Sequence, residues 1–345
     1  MSDYMPVEVI AEILKRLPVK SLGKCRSVCK SWNTLISHPS FISAHLQASL
    51  ANNTPFLILR SWGNSEGYVL HYDNDRLDRF RQLQFPPVGA VPDSIVIGSC
   101  NGLICFYFWP GKKSSFILWN PSIQKYVILS RPSISNDVVF SIGFGFDSRT
   151  SDYKLLMVGV GKDDSWVEPY LFSLNENCWK RVAAIPPNYT FHGGSVPSVN
   201  GALHWIGHQE RNNGRFSNTI LGFDFSAEEF FELGLPESLI GVHPMYLSTM
   251  KYGESSIAVR KRDPANHELL NLVLDELWVM KEYGVVESWT KVLKLTSNIE
   301  RKLFPNAFVG GIVTRTLILL KDSYVESLAL LDKTVGVHTV SFTCH

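Results

Sequence analysis

One strand–turn–strand phrase recurs along most of this chain, and it limits the possible folds more than any other feature. It reads Tyr68-Val-Leu-His-Tyr-Asp-Asn-Asp…Phe80, Ile117-Leu-Trp-Asn-Pro-Ser…Tyr126, Tyr170-Leu-Phe-Ser-Leu-Asn…Trp179, Ile220-Leu-Gly-Phe-Asp-Phe-Ser…Phe230, Glu276-Leu-Trp-Val-Met…Trp289 and Ser327-Leu-Ala-Leu-Leu-Asp-Lys…Val337. The copies lie roughly 47 to 55 residues apart, in the period range of propeller blades. Four are soon followed by proline, at Pro86, Pro132, Pro186 and Pro236. Further strand pairs precede the phrases, most clearly in Val96-Ile-Gly-Ser-Cys-Asn-Gly-Leu-Ile-Cys-Phe and Val196-Pro-Ser-Val-Asn-Gly-Ala-Leu-His-Trp-Ile. Asn-Gly between apolar alternations signals a hairpin, because both turn residues need positive φ. Two hairpins per repeat make a four-stranded blade. Six phrases therefore predict about six blades, arranged radially so that only short sheet edges remain. A β-sandwich pair or an irregular β domain is the competing fold. With 12% aromatic and only 19% charged residues, the composition favours sheets over surface helices.

The first fifty residues follow a different rule. They carry six basic side chains (Lys15, Arg16, Lys20, Lys24, Arg26, Lys30) against three acidic ones (Asp3, Glu8, Glu12), although the whole chain has a net charge of only +1. Val9, Ile10, Ile13, Leu14 and Leu17 form a helical stripe, and Pro6 suits the first turn of that helix. Glu8 lies near its positive end and Lys15-Arg16 near its negative end, as the helix dipole favours. Pro18 stops it and opens a second helix, where Leu22, Cys25, Val28, Cys29 and Trp32 continue the apolar face. Leu35 and Ile36 follow, and Pro39 starts a last short helix with Phe41, Ile42 and Leu46 inward. Trp32 and Val28 are expected in the internal core. Three or four short helices can hardly enclose their own apolar side chains. Either they cap the larger domain or a partner finishes them.

These residues carry a resemblance. Met5-Pro6-Val7-Glu8-Val9-Ile10-Ala11-Glu12-Ile13-Leu14-Lys15-Arg16-Leu17-Pro18-Val19-Lys20-Ser21-Leu22, with Cys25-Arg26-Ser27-Val28-Cys29-Lys30-Ser31-Trp32, Leu35-Ile36 and Pro39-Ser40-Phe41, resembles an F-box. The only departure is Met5, where Leu is commoner; Met has similar volume and more flexibility. The resemblance implies docking on a Skp-type adaptor and, through it, on a cullin and a RING protein in a ubiquitin ligase. Met5, Pro6, Ile10, Ile13, Leu14, Leu17, Pro18, Val19, Leu22 and Cys25 are the expected adaptor contacts. Aliphatic anchors would dominate the energy, while Lys20, Lys24 and Arg26 would steer. Sequence alone leaves open which of these apolar residues face the partner and which hold the module together. Further on, Asn101-Gly102-Leu103, Leu118-Trp119-Asn120-Pro121, Gly143-Phe144-Gly145-Phe146-Asp147, Asp152-Tyr153-Lys154, Trp179-Lys180 and Gly201-Ala202-Leu203-His204-Trp205 resemble the kelch-like F-box-associated interaction domain of plant F-box proteins. That resemblance implies a substrate-receptor domain and a plant source.

Signals for enzymatic chemistry are poor. His204 and His208 have the spacing of a helical zinc pair but sit in a strand context without the Glu of that motif. Cys25 and Cys29 share a helix face but lack a second pair of metal ligands. Gly159-Val-Gly161-Lys162 lacks the first Gly and the Ser/Thr of a phosphate loop, and Gly143-Phe-Gly145 lacks the third Gly of a dinucleotide loop. There is no GxSxG elbow. Asp147, Asp152 and Glu228-Glu229 read as turn and solvated-face residues. The near-zero charge argues against a nucleic-acid binder, and no apolar run reaches the ~18 residues of a membrane span. With no secretion signal visible, Cys25, Cys29, Cys100, Cys105, Cys178 and Cys344 read as buried thiols. The two sequons, at Asn52 and Asn188, are read as chance.

The expectation is thus a mainly β chain with a small α module: an F-box over residues 1–46, a linker over 47–54 and a β-propeller over 55–343. It would be a non-catalytic receptor of a ubiquitin ligase in the cytoplasm or nucleus, with no metal or cofactor. Its unknown protein target would be held on loops where Trp62, Trp109, Trp166 and His192 are weak contact candidates. An adaptor-bound scaffold that delivers no target, or a carbohydrate-binding or enzymatic propeller with a helical cap, is the alternative.

Overall fold

The structure, a computed structural model, describes residues 5–52, 56–61, 67–72, 78–83, 94–108, 115–132, 138–161, 166–182, 189–190, 196–210, 215–253, 255–261, 276–292, 322–331 and 336–338. The chain divides into two compact units, Met1–Arg131 with Thr314–Thr339, and Pro132–Val313 with Val340–His345.

The first unit opens with four helices: α1 (Val7–Leu14), α2 (Val19–Cys25), α3 (Lys30–Ser37) and α4 (Pro39–Asn52). Pro6 and Pro18 stand immediately before α1 and α2 with φ −54° and −57°, so proline's fixed φ sets the entry to each helix. The helix opened by Pro39 is longer than expected. It runs through most of the segment read as a linker, as far as Asn52. Gln47, Ala48, Leu50 and Ala51 are good helix formers, and His45, Leu46 and Ser49 are buried on one side of it. Leu14, Val19, Leu22, Ile36 and Phe41 form the module's core.

Strands follow in antiparallel meanders. In the first unit β1 (Phe56–Ser61), β2 (Gly67–Tyr72) and β3 (Arg79–Leu83) form one sheet. A second comprises β4 (Ser94–Cys100), β5 (Leu103–Phe108), β6 (Ser115–Asn120) and β7 (Lys125–Ser130). The second unit holds three four-stranded sheets. These are β8 (Val138–Asp147) to β11 (Cys178–Arg181) through β9 (Asp152–Gly161) and β10 (Trp166–Ser173); β12 (Ser198–Val199) to β15 (Glu229–Leu233) through β13 (Ala202–Glu210) and β14 (Phe216–Asp224); and β16 (Leu247–Tyr252) to β19 (Trp289–Val292) through β17 (Ser256–Lys261) and β18 (Glu276–Met280). A short helix, α5 (Glu237–Ile240), links β15 to β16. The chain then returns to the first unit. There β20 (Asp322–Tyr324) pairs antiparallel with β1, and β21 (Gly336–His338) pairs parallel with β7.

Five of the six recurring phrases are the outer hairpins of these five sheets, at β2–β3, β6–β7, β10–β11, β14–β15 and β18–β19. The sixth, Ser327–Val337, forms no hairpin of its own. Its leucines turn into a buried loop, and its end supplies β21 as an added strand on the second sheet. Both Asn-Gly turns have the expected left-handed backbone, with φ +47° and +81° at Asn101-Gly102 and +52° and +76° at Asn200-Gly201.

Burial explains the pattern of apolar residues. Almost every residue of β5, β6 and β13 is buried, while the outer strands β7 and β15 are partly exposed. In the first unit Tyr68, Leu70 and Leu83 of one sheet pack with Ile104, Phe106, Ile117 and Trp119 of the next. In the second, Leu156, Val158 and Leu171 meet Leu203, Trp205, Leu221 and Phe223. Face-to-face sheet packing of this kind needs large side chains. It also leaves no room for a side chain at Gly143, where an added Cβ would lie 2.3 Å from Leu203.

Candidate functional site

Helix α1 has two apolar stripes rather than one. Ile10, Leu14 and Leu17 join the core formed with Val19, Leu22, Ile36 and Phe41. Val9 and Ile13, four apart on α1 and so on one face, are 44% and 49% exposed, and Met5, which precedes the helix, is 49% exposed. Val7 and Val28 are exposed as well. A short helix apolar on two faces is built to be enclosed from both sides. Full burial of one such aliphatic side chain contributes about 1.5–3 kcal/mol, and about half of each remains exposed, so covering them contributes about 1 kcal/mol apiece and makes this outward stripe the strongest docking feature among the described residues.

The structure sorts the ten expected adaptor contacts into two groups. Leu14, Val19 and Leu22 are sealed in the core, and Ile10, Leu17 and Cys25 are half-buried against it. Met5, Pro6, Ile13 and Pro18 are exposed. Val9, which sequence periodicity had placed on the inward stripe, faces outward with them. Val28, expected in the core, is 65% exposed because it sits in the turn between α2 and α3, whereas Trp32 is half-buried against the core. In the sequence, the signal for the outward stripe is the four-residue spacing of Val9 and Ile13. Around it, Lys15 Nζ pairs with Glu12 at 2.6 Å and holds that carboxyl below its usual range. Arg26 Nε donates to Asn33 Oδ1 at 2.9 Å, while Lys20 and Lys24 are exposed. His45 Nε2 lies 3.0 Å from the carbonyl of Leu17 and ties α4 to the end of α1.

Of the four weak target-contact candidates, Trp62, Trp109 and His192 lie outside the described residues, as does the side chain of Trp166. Among the described residues, no group of three or more His, Cys, Asp or Glu side chains is placed to hold a metal, and no helix is long and apolar enough to cross a membrane. Cys178 is disulfide-bonded, so the reading of six thiols fails there. Cys25, Cys29, Cys100 and Cys105 are thiols, but of these only Cys105 is fully buried as expected: Cys25 and Cys100 are half-buried, and Cys29, at the start of α3, is exposed.

The acidic turn residues are not solvated as expected. Asp147 and Asp152 are 0% and 3% exposed. Lys154 Nζ lies 2.9 Å from Asp147 Oδ2 and 2.9 Å from Glu228 Oε1, and it donates to the carbonyl of Phe225 at 2.7 Å. Burial alone would raise the Asp147 carboxyl. Hydrogen bonds from Lys154, Ser226, Thr150 and the Arg149 amide hold it far below the usual range instead. Asp152 accepts from Ser173 Oγ at 2.5 Å and from the Asn175 amide at 2.9 Å. These groups tie the β8–β9 turn to the β14–β15 turn. Their role is structural.

His204 is fully buried, with Nε2 2.7 Å from Tyr283 Oη. Burial pushes its imidazole down to about 4. A folded pKa below the unfolded value means that stability is complete above about 6.5 and is lost as pH falls towards 4. The loss is of order 3 kcal/mol at the lower limit. His204→Gln, which keeps a partner for Tyr283 without titrating, is expected to flatten the urea midpoint between pH 6.5 and 4.5. The loss owed to Asp147 falls in a separate window, below about 4. Equal acid losses in wild type and variant would refute this assignment.

The F-box family model matches residues 3–43, and the model of the F-box associated beta propeller domain matches residues 65–326. The chain belongs to the F-box-associated β-propeller family. Relatives of this F-box protein include the F-box/kelch-repeat protein At3g23880 of Arabidopsis thaliana, 28% identical over 84% of this chain and 79% of the relative. The F-box protein CPR1 of the same plant is 31% identical over 84% of this chain and 72% of the relative. A third, F-box protein At4g22390, is 27% identical over 95% and 83%. Membership implies a Skp-type adaptor as partner for the helical module, and proteins of this kind are typically non-catalytic receptors.

Proposed function

We propose that this F-box protein is the substrate-recognition subunit of a Skp–cullin–F-box ubiquitin ligase, acting in the cytoplasm or nucleus. The observation that carries the reading is the outward pair Val9 and Ile13, with exposed Met5 just before them, on a helix whose other apolar face is already buried. The adaptor covers that stripe, and Lys20 and Lys24 orient the encounter. The propeller binds a protein target and holds it near the charged conjugating enzyme. Catalysis is by proximity: tethering raises the effective concentration of target lysines, and no residue of this chain needs to react.

The double variant Val9→Glu/Ile13→Glu places two carboxylates on the stripe without entering the core. It is expected to weaken binding to purified adaptor at least about 100-fold, or roughly 2.7 kcal/mol, with an unchanged thermal midpoint. Adaptor affinity equal to wild type would overturn the docking reading. Proteins captured by wild type while the proteasome is blocked should, in unblocked cells, show longer lifetimes with the variant than with wild type. Lifetimes that do not change would favour a scaffold that binds the adaptor without delivering targets.

A further inference from the structure

The core of the helical module is not made by the helices alone. Two of its seven buried residues, Leu328 and Leu331, come from the opposite end of the chain, and Ile123 of the β6–β7 turn packs against it. The segment that carries these leucines follows β20 directly. It is pinned at several points, all inside the first unit. Asn120, itself fully buried, donates from Nδ2 to the carbonyls of Ser327 at 2.9 Å and Ala329 at 2.8 Å. Lys125 Nζ donates to the carbonyl of Leu331 at 2.7 Å. Ser122 Oγ and Tyr324 Oη are hydrogen-bonded. The β4–β5 turn closes against the same segment: an added Cβ at Gly102, whose φ is +81°, would lie 2.7 Å from the Val325 carbonyl and 2.1 Å from Ser327 Oγ. Leu330 adopts φ +66°, a left-handed conformation that costs a non-glycine residue energy and persists only where its surroundings enforce it.

We propose that Val325–Leu331 is a clasp that makes the fold of the F-box, and hence its competence to dock, conditional on the C-terminal strand β20 being seated against β1. The docking half of this statement rests on the function proposed above; the folding half does not. Short helices with a core this small cannot stabilise themselves, and the missing apolar surface is supplied by Leu328 and Leu331. Those two side chains reach the helices only when the backbone between them is held by Asn120 and Lys125, and that backbone enters from β20. Adaptor docking and closure of the first sheet are then coupled equilibria. By linkage, whatever seats β20 more firmly raises adaptor affinity, and a bound adaptor holds β20 in place by the same factor. A chain that has not completed its first sheet would present no docking face, so an unfinished receptor would not enter the ligase.

The test is hydrogen exchange on the full chain together with adaptor affinity. Leu328→Asp/Leu331→Asp touches no residue of the exposed stripe. It is expected to speed exchange of the amides in α1–α4 at least tenfold and to weaken adaptor binding at least tenfold. Asn120→Ala, which leaves the helices and both leucines intact, should shift both readouts in the same direction by a smaller factor. In wild type, saturating adaptor should slow exchange at β20 and β1. Helices that keep wild-type protection in both variants would overturn the clasp. So would helices that lose protection while affinity is unchanged. A wild-type chain that binds no adaptor at all would defeat the docking reading, and the exchange arm would still decide the folding half.

Discussion

Leu14→Glu is expected to unfold the helical module outright, whereas Ile13→Glu, one residue away, is expected to leave it folded and only remove its docking face. Leu14 is 2% exposed, packed with Leu22, Ile36, Phe41 and the leucines of the clasp, while Ile13 is 49% exposed. Truncating a buried leucine costs about 2–5 kcal/mol from lost transfer energy and the cavity left behind. A carboxylate placed there adds a charge with no cationic partner among the core side chains, which raises the cost further. A module of four short helices has no such reserve. Exchange protection over residues 7–46 should therefore collapse in Leu14→Glu and persist in Ile13→Glu, with adaptor binding lost in both. Protection retained in Leu14→Glu would show that Leu14 is not a core residue in solution. It would also return that side chain to the group that faces the partner.

The contrast between neighbours shows where reading from sequence stops. Asn101-Gly102 and Asn200-Gly201 were legible because positive φ is a demand that two residues settle between themselves. Five outer hairpins were legible for the same reason: each phrase contains both strands and the turn that joins them. The apolar character of α1 was equally plain. Its orientation was not, since Val9 and Ile13 have the same four-residue spacing as Ile10 and Leu14. The choice between the two stripes is made by partners outside α1: Val19, Leu22, Ile36 and Phe41 of the later helices, with Leu328 and Leu331 from far along the chain. Those leucines misled for a complementary reason. A run such as Ser327-Leu-Ala-Leu-Leu has strand-like composition, and only its long-range partners, Asn120 and the helices, turn it into a buried loop. The turn acids were misread likewise. An aspartate in a turn is solvated unless another sheet covers it, and here Phe225 and Glu228 do so, 71 and 74 residues beyond Lys154.

Lys154→Met is expected to be among the most damaging single changes in the second unit. The Lys154 and Asp147 side chains are 5% and 0% exposed, and Lys154 bonds Asp147, Glu228 and the Phe225 carbonyl at once. Removing one partner of such a buried pair leaves the other charge uncompensated, at a cost of about 3–5 kcal/mol. Thr150 and Ser226 still donate to Asp147, but neutral hydroxyls cannot offset a buried negative charge as an ammonium does. The sign of the pH dependence separates this mechanism from mere loss of packing. In wild type the Asp147 carboxyl is held far below its usual range, so its contribution to stability is present above about pH 4 and disappears as pH falls through the folded value. Without the ammonium that folded pKa rises, the carboxyl takes up a proton on modest acidification, and the penalty shrinks. The gap between wild type and Lys154→Met in urea denaturation should thus be widest near pH 7 and narrow towards pH 4. Asp147→Asn added to Lys154→Met should recover part of the loss at neutral pH, because the orphaned charge is gone. A pH-independent gap with no rescue would assign the effect to packing of the lysine stem, and a loss under 1 kcal/mol at pH 7 would mean that water reaches Asp147 once the lysine is removed.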